Sequence, residues 1–359
     1  LLVLPWHFRD EIIKREDEYL EAGGQLIFPF PQLEIYSKKK KVLITGITGL
    51  IGTALTSQLI GEYSLYGVNR SDKKIYGAIQ FHTDINDGFM LNQIFEIVKP
   101  DFVVHLSGIS SSQYAQKNCL ETLITNGMSG AIICEIIERQ QLKTRLISAS
   151  SSEIYKGHGT YVVKEGDTHM NHLHPYSIAK TLAHNLVKMY REKGYHFSNA
   201  VFFTTESKDK GNQFLLNKVA EHAKKWNDQK WNDQKWNDCQ PIQLGNLDSS
   251  RDILHVSDVA NALVHIMKAD LANDYLVCRN ENVNIVDLVE NVYRKFGIHL
   301  EKRGNQFFAG DQLVIETNPQ LGCETVSHIH GLGVNLRSLG WSPKISVDQI
   351  VQEICESKK

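Results

Sequence analysis

At 359 residues and 42% apolar, the chain can bury a full core and hold one large or two modest domains. Its 39 Lys+Arg against 41 Asp+Glu leave a net charge of −2, without the basic excess of a nucleic-acid binder, so no nucleic-acid partner is expected. No uninterrupted apolar run approaches a membrane span and no signal-peptide pattern opens the chain, while the six cysteines are scattered with no C-x-x-C pair, which argues against zinc and disulfide frameworks and for a cytoplasmic setting.

Beginning at Leu1 rather than a methionine, the chain is expected to be a piece of something longer. Leu2 to Ile12 and Gly23 to Pro29 read as strand, helix, strand. The lysine run Lys38–Lys41 follows as a solvated linker. From Lys41 onward, strand-like and helix-like stretches alternate. Val42-Leu43-Ile44 leads into a glycine turn and a periodic segment reaching about Ile60. Further strand-like runs lie at Leu65–Val68, Phe102–Leu106, Arg145–Ser148 and Ser198–Phe203, and long helices are predicted over Leu123–Arg139 and Tyr176–Lys193. This alternation predicts an α/β fold: a Rossmann-type doubly wound parallel sheet with a smaller C-terminal substrate-binding region. The expected boundaries are 1–36, 37–203 and 204–359, with about 251–279 returning to the nucleotide-binding part.

Lys225–Cys239 reads KWNDQ, KWNDQ, KWNDC and holds Trp226, Trp231 and Trp236. A five-residue step turns about 140° on a helix, so the tryptophans cannot form one stripe. The segment reads as a tandem expansion on the surface rather than a sugar-stacking face, and its unit is too short for a solenoid. The histidines, His7, His105 and His158 among them, show no ligand spacing. They read as structural or surface residues, and no metal site is expected.

Chemistry enters at Gly46-Ile47-Thr48-Gly49-Leu50-Ile51-Gly52, which follows a strand and opens a helix. Glycines allow the sharp bend and the close approach to a pyrophosphate, and the helix N-terminus offers free N–H groups and a favourable dipole. The next strand ends at Asn69-Arg70, where an NAD site usually has an acidic residue. Arg70 suits a 2′-phosphate instead, which favours NADP over NAD. Asp84-Ile85 stands where a later strand end meets the adenine. Tyr176 and Lys180 lie four apart, on one helix face. A phenol with a pKa of about 10 is a poor base at neutral pH, and a nearby ammonium is expected to favour the phenolate. Ser151, in Ala149-Ser150-Ser151-Ser152-Glu153-Ile154-Tyr155 after an apolar strand, is the candidate hydroxyl donor.

The ordered set Gly46/Gly49/Gly52, Asp84, Asn126, Ser151, Tyr176 and Lys180 resembles the extended short-chain dehydrogenase/reductases. Arg251-Asp252-Ile253-Leu254-His255-Val256-Ser257-Asp258-Val259-Ala260 looks like that family's R-D-x-x-H-V-x-D-V-A segment, whose arginine commonly binds the nucleotide diphosphate. The resemblance covers roughly residues 40–355. Within the family it is closest to GDP-mannose 4,6-dehydratases: Ala149 to Tyr155 is similar to A-S-T-S-E-L-Y, Leu244-Gly245-Asn246-Leu247-Asp248 matches L-G-N-L-D, and Thr204-Thr205-Glu206-Ser207 with Gly211-Asn212-Gln213-Phe214 is similar to N-H-E-S and G-x-x-F. It implies a NADP site formed by Gly46, Thr48, Gly49, Leu50, Ile51, Gly52, Asn69, Arg70, Asp84, Ile85, Leu106, Ser107, Tyr176 and Lys180. It also implies a sugar-nucleotide site, for a GDP-sugar above all, that includes Ser110, Ser151, Ser152, Glu206, Asn212, Lys218 and Arg251.

The implied chemistry is proton removal from the C4 hydroxyl by Tyr176 as NADP is reduced, removal of the C5 proton by Glu153 with loss of water from C6, and return of the hydride to C6. Departures from the family pattern are Thr205 in place of its histidine, Lys208-Asp209 in place of a basic pair, and no recognisable R-P-T-E-V stretch before Asn335. Related GDP-sugar 4-keto reductases carry a similar S-S-S-E-x-Y motif, and Tyr275-Leu276-Val277-Cys278 looks like their Y-N-V-C strand. A reductase or epimerase, with Glu153 as a binding residue, therefore stands as the alternative, and a non-catalytic NADP-binding scaffold as a third. The first 36 residues resemble the C-terminal end of sugar C-methyltransferases, with their L-P-W-N-F and G-G-x-x-I-x-P-x-P patterns. That implies a bifunctional parent protein in a C-methylated deoxysugar route. The long helices resemble those that form a homodimer interface in the dehydrogenase/reductase family.

Overall fold

The computed structural model describes residues 1–155, 160–167, 173–231, 240–318 and 328–359. They form two compact units: Leu1–Ile154 with His172–Val201 and Ala260–Tyr275, and Tyr155–Asn171 with Phe202–Val259 and Leu276–Lys359. The opening 36 residues thus belong with the first unit.

Its centre is a seven-stranded sheet in the order Asp274–Val277, Phe197–Phe202, Arg145–Ser151, Phe102–His105, Lys41–Thr45, Ser64–Asn69, Ala78–His82. The pairings from Arg145–Ser151 to Ala78–His82 are all parallel, with Val42 opposite both Leu65 and Phe102. All six residues of Ser64–Asn69 are buried, as a parallel strand covered on both faces requires. Leu43, Tyr66, Val103 and Leu146 share one core with Leu91 and Phe95 of the helix Gly88–Val98 and with Ile133 of Ser129–Arg139. The chain runs outward from Lys41–Thr45 through two strands and then returns to its other side at Phe102–His105. The switch point between those two strands is where such sheets bind ligands.

The helix expected over Leu123–Arg139 begins earlier, at Cys119–Thr122. It passes through a π-helical stretch, Leu123–Met128, before Ser129–Arg139. By length and composition Cys119–Arg139 could cross a membrane, but 56% of its most apolar window is buried inside the protein. Leu120, Ile124 and Met128 remain exposed, as do Ile178, Leu182 and Met189 of the helix Pro175–Glu192.

At the start of the chain, the first expected strand is reduced to a bridge between Leu2 and Ile27. A short 3-10 turn and the helices Arg9–Arg15 and Asp17–Glu21 follow, then an antiparallel pair, Leu26–Phe28 with Glu34–Tyr36. Val3, Ile12, Leu20, Leu26 and Phe28 make its small core. The lysine run is not a solvated linker. Lys38 pairs with Asp17 and Glu21, Lys39 donates to the Gly61 carbonyl, and Lys40 lies over the Phe102 ring. Lys41 donates to the carbonyls of Ile35 and Val98. Each ammonium ties the opening segment or the neighbouring loops to the sheet.

The second unit holds two four-stranded sheets. One runs Ile242–Leu244, Gln312–Thr317, Gln306–Ala309, Glu301–Arg303; the other runs Val283–Asn284, Ser250–Arg251, His328–Leu332, Thr160–Lys164. The helices Leu215–Trp231, Ile285–Lys295 and Val347–Glu356 pack around a core that includes Val219, Val289, Phe307 and Ile350. Trp226 is 5% exposed and part of that core, so one tryptophan of the first KWNDQ unit is packed inside, while Lys225 and Asp228 beside it are exposed. Residues 232–239 of the repeat lie outside the described residues.

Candidate active site

The glycine turn is built at the switch point. Gly46 has φ +70, and a Cβ there would lie 2.9 Å from the Ser107 nitrogen; at Gly52 a Cβ would lie 2.4 Å from the Gly46 carbonyl oxygen. Only glycine fits at either position. Gly49, extended and without a side-chain cap, starts the helix Leu50–Leu59. The first-turn N–H groups of that helix point where a dinucleotide's pyrophosphate would sit, with Leu106 and Ser107 on the facing strand end. These residues fit the group expected from sequence.

Beneath this turn lies a polar chain that sequence reading missed. The Thr45 hydroxyl accepts the N–H groups of Leu106 and Ser107, both at 3.2 Å. Its own proton therefore goes to His105 Nδ1, 2.8 Å away, and His105 Nε2 donates to Ser129 Oγ at 3.0 Å. Ser129 in turn donates to the Thr125 carbonyl at 2.6 Å. Burial, with the Lys180 charge adding to it, pushes His105 down to about 3. A neutral imidazole thus fixes the strand ends on both sides of the switch point. A histidine closing an apolar strand run was the only sequence signal for it.

The strand Arg145–Ser151 runs into a single 3-10 turn, Ser152–Tyr155, which carries Ser151, Ser152 and Glu153 to its end. The helix Pro175–Glu192 opens with Pro175 in its first turn and the His174 side chain accepting the Tyr176 N–H, the position where proline's fixed φ and missing donor cost least. Tyr176 is half-buried and hydrogen-bonded to Ser151, with the Glu153 charge close enough to act on it. Lys180 is 8% exposed and donates to the Ala149 carbonyl at 2.7 Å. Gly108 lies beside Lys180 and the Asn126 amide. Asn126 accepts from the Ile109 N–H at 2.7 Å and donates to its carbonyl at 2.9 Å, from the π-helical stretch. Irregular helix of this kind is frequent at functional sites.

The electrostatics differ from expectation. Burial pushes the Tyr176 phenol up to about 12, the Ser151 hydrogen bond opposes this, and Glu153 adds to it. Burial also pulls Lys180 down to about 8. Desolvation sets the direction of the phenol's shift, so at neutral pH Tyr176 carries its proton.

Asn69 is buried at its strand end, and its amide oxygen accepts from Gln80 at 2.9 Å. Arg70 is exposed and pairs with Asp84 at 3.3 Å. Asp84 also accepts the Asn86 N–H, and Ile85 is buried. Thr48, Leu50 and Ile51 are half-buried in the glycine turn, and Ser110 is exposed beyond the Phe102–His105 strand. All the cofactor candidates and the four catalytic candidates fall within one unit.

Four substrate candidates fall in the other. Glu206 is 4% exposed and pairs with Lys210 at 2.7 Å; burial raises its carboxyl against the pull of Lys210. Asn212 accepts from Lys358 at 2.9 Å, Lys218 donates to the Gln243 carbonyl at 2.9 Å, and Arg251 donates to the Ser250 carbonyl at 3.0 Å. His158 lies outside the described residues. Among the described residues, no group of three His, Cys, Asp or Glu could hold a metal ion, and Cys119, Cys134, Cys278 and Cys355 are free thiols.

Comparison with known proteins agrees with this architecture. The family model for GDP-mannose 4,6 dehydratase matches residues 43–354, and one for a C-methyltransferase C-terminal domain matches residues 1–31. A GDP-mannose 4,6 dehydratase of Caenorhabditis elegans is 24% identical, over 91% of each chain. One from Sordaria araneosa is also 24% identical, over 88% of this chain, which spans 60% of that longer protein. Among solved structures, RMD from Pseudomonas aeruginosa complexed with NADPH shares the fold at TM-score 0.70 and 19% identity, over 89% of this chain and 99% of its own. UDP-glucose 4-epimerase from Thermotoga maritima shares it at TM-score 0.72 and 18% identity, over 88% and 98%. With a glycine cradle at a sheet switch point and a Ser–Tyr–Lys cluster beside it, the chain belongs to the GDP-mannose 4,6-dehydratase family of nucleotide-sugar dehydratases and epimerases, enzymes of the extended short-chain dehydrogenase/reductase type.

Proposed function

We propose that the chain is an NADP-dependent GDP-mannose 4,6-dehydratase, making a 4-keto-6-deoxy sugar nucleotide. The observation that carries this reading is the position of Glu153, two residues past Ser151 in the 3-10 turn Ser152–Tyr155 and close enough for its charge to act on Tyr176. A dehydratase needs a carboxylate beside its proton-transfer tyrosine to take the C5 proton, whereas in a related 4-keto reductase the same glutamate would bind the sugar.

NADP, when bound, accepts and returns the hydride. Gly46, Thr48, Gly49, Leu50, Ile51 and Gly52 hold its phosphates, Arg70 with Asn69 its 2′-phosphate, Asp84 and Ile85 its adenine, and Leu106 and Ser107 line the cleft. Ser151 orients the C4 oxygen, and Tyr176, beside Lys180, first gives up its phenol proton to solvent and then takes the C4 hydroxyl proton. Glu153 removes the C5 proton, made acidic by the new C4 carbonyl, and passes it to the C6 hydroxyl, which leaves as water; a proton from solvent fills C5 once C6 has been reduced. Of the residues expected to bind the sugar nucleotide, Ser110 and Ser152 stand in the first unit and Glu206, Asn212, Lys218 and Arg251 in the second. In this reading 37–203 serves the cofactor and 204–359 the sugar nucleotide.

A second reading is a 4-keto reductase of a C-methylated GDP-sugar. It is favoured by the methyltransferase match at residues 1–31, which also supports a bifunctional parent protein, and by a Tyr176 that holds its proton ready to donate. The exposed apolar residues Leu120, Ile124, Met128, Ile178, Leu182 and Met189 suit a homodimer face, and the free thiols suit the cytoplasm.

Purified protein given GDP-mannose and catalytic NADP should yield a product lighter by one water, without net cofactor reduction, and E153Q should abolish it. Untouched GDP-mannose, together with NADPH consumed by a 4-keto-6-deoxy sugar nucleotide, would establish the reductase instead. Arg70→Ala should weaken NADPH about tenfold or more and leave NADH unchanged, since a charge-assisted phosphate contact is worth roughly 1.5–3 kcal/mol.

A further inference from the structure

The first unit contains another chain of buried polar groups, one that meets neither cofactor cradle nor sugar. Ser150 Oγ lies 2.9 Å from His184 Nδ1, and His184 Nε2 lies 3.3 Å from Asp274 Oδ2. Asp274 Oδ1 also accepts from Arg191 and from the Asn199 amide, each at 2.9 Å. Asn199 reaches the His184 carbonyl at 3.2 Å. Burial would raise the Asp274 carboxyl, but the hydrogen bonds and charge of His184, with Arg191 and Asn199, hold it well below the usual range. A carboxylate only accepts, so Nε2 of His184 carries a proton toward it. On its other side, His184 Nδ1 meets the Ser150 hydroxyl, which can donate or accept there.

Serine, histidine and aspartate in this order resemble a nucleophile triad, but Ser150 is 5% and His184 2% exposed, too enclosed to attack a substrate. Their place in the fold suggests a different use. Ser150 stands between Ala149, whose carbonyl holds Lys180, and Ser151, which bonds Tyr176. His184 lies one helical turn beyond Lys180 and two beyond Tyr176, on the same face.

We propose that Asp274, His184 and Ser150 form a positioning relay that fixes the strand end 149–151 against the helix Pro175–Glu192, and so aims the Ala149 carbonyl at Lys180 and the Ser151 hydroxyl at Tyr176. The relay rests on the reading of Tyr176 and Lys180 as the proton-handling pair. It makes His184 and Asp274 positioning residues that never touch substrate.

Hydrogen exchange on the whole chain, followed by mass spectrometry, tests it independently of turnover. S150A and H184Q should speed exchange of the amides at 149–153 about tenfold relative to those at 42–44 in the same unit, the effect of one buried hydrogen bond. H184N, whose amide oxygen takes the Nδ1 position, should speed it less than H184Q, although both remove the ring. Wild-type exchange at 149–153 in both S150A and H184Q would overturn the relay; so would an equal rise at 42–44, which marks general loosening. Where the wild type turns over a sugar nucleotide, S150A and H184Q should each lower kcat about tenfold with KM within about twofold, and the double variant should be no worse than either. A wild type inactive on both GDP-mannose and a 4-keto-6-deoxy sugar nucleotide sinks the functional reading alone, and the exchange data still decide the relay.

Discussion

The strand end 149–153 with its partner helix, and the stretch Arg251–Val259 of the second unit, use similar side chains for opposite ends. In the first, Ser151 and Glu153 act on Tyr176, and Lys180 donates to the Ala149 carbonyl of the same strand end. In the second, the carboxylates are spent on backbone. Asp252 accepts the N–H groups of Arg279 and Asn280. Asp258 accepts those of Lys344 and Ile345, both at 3.0 Å, while its own carbonyl takes the Trp341 indole at 3.2 Å. His255 pairs with Glu353 at 2.7 Å. Both stretches stand out in the sequence as motifs, yet only one concentrates reactive groups. Within the other, Arg251 alone is a substrate candidate, and its acidic neighbours hold the C-terminal segments in place.

That contrast predicts variants that fail in different ways. Tyr176→Phe keeps the half-buried ring and removes one oxygen. Turnover should fall on the order of 10³-fold, with NADPH affinity and melting temperature close to wild type. Lost folding in this variant would mean the first region is also architectural. Asp258→Ala should behave conversely. It leaves two backbone donors unpaired, a loss of roughly 3 kcal/mol, and should lower the melting temperature while the surviving folded protein keeps its NADPH affinity. A stable but inactive D258A would erase the distinction.

How much of this was legible in the sequence depended on whether a residue's role is local. The glycine turn, the strand runs and the Tyr176–Lys180 spacing are set within a few positions by steric need and helical period, and they stand where they were expected. Roles set by long-range partners did not show. His105 and His184 look like any apolar-context histidine until Thr45, Ser129, Ser150 and Asp274 are brought beside them by the sheet. The lysine run Lys38–Lys41 looks solvated until Asp17, Glu21 and the carbonyls of Ile35, Gly61 and Val98 surround it. Trp226 reads as part of a low-complexity repeat, and only the packing of Leu215–Trp231 puts it in a core. The phenol's upward shift was missed for the same reason, since spacing reveals the ammonium but not the depth of burial.

Burial also separates the two regions by pH. It raises Asp252 from 3.8 to about 6 in spite of its backbone donors. Below about pH 4 both folded and unfolded chains hold that proton. As pH rises toward 6 the unfolded chain releases it first, so stability falls across that window, by at most about 3 kcal/mol. Lys180 runs the other way. Burial lowers it from 10.5 to about 8, so below 8 the folded chain carries an unfavourable buried charge. As pH climbs from 8 toward 10.5 the folded chain sheds its proton while the unfolded one keeps it, and stability rises. Urea unfolding of wild type against Asp252→Asn should therefore diverge between about pH 4 and 6, with wild type losing ground and the variant flat. Wild type against Lys180→Met should differ most below pH 8 and converge above it. If Asp252→Asn follows the wild-type slope through the acid window, the anchor carboxylate is ionised throughout, and its four backbone donors outweigh its burial.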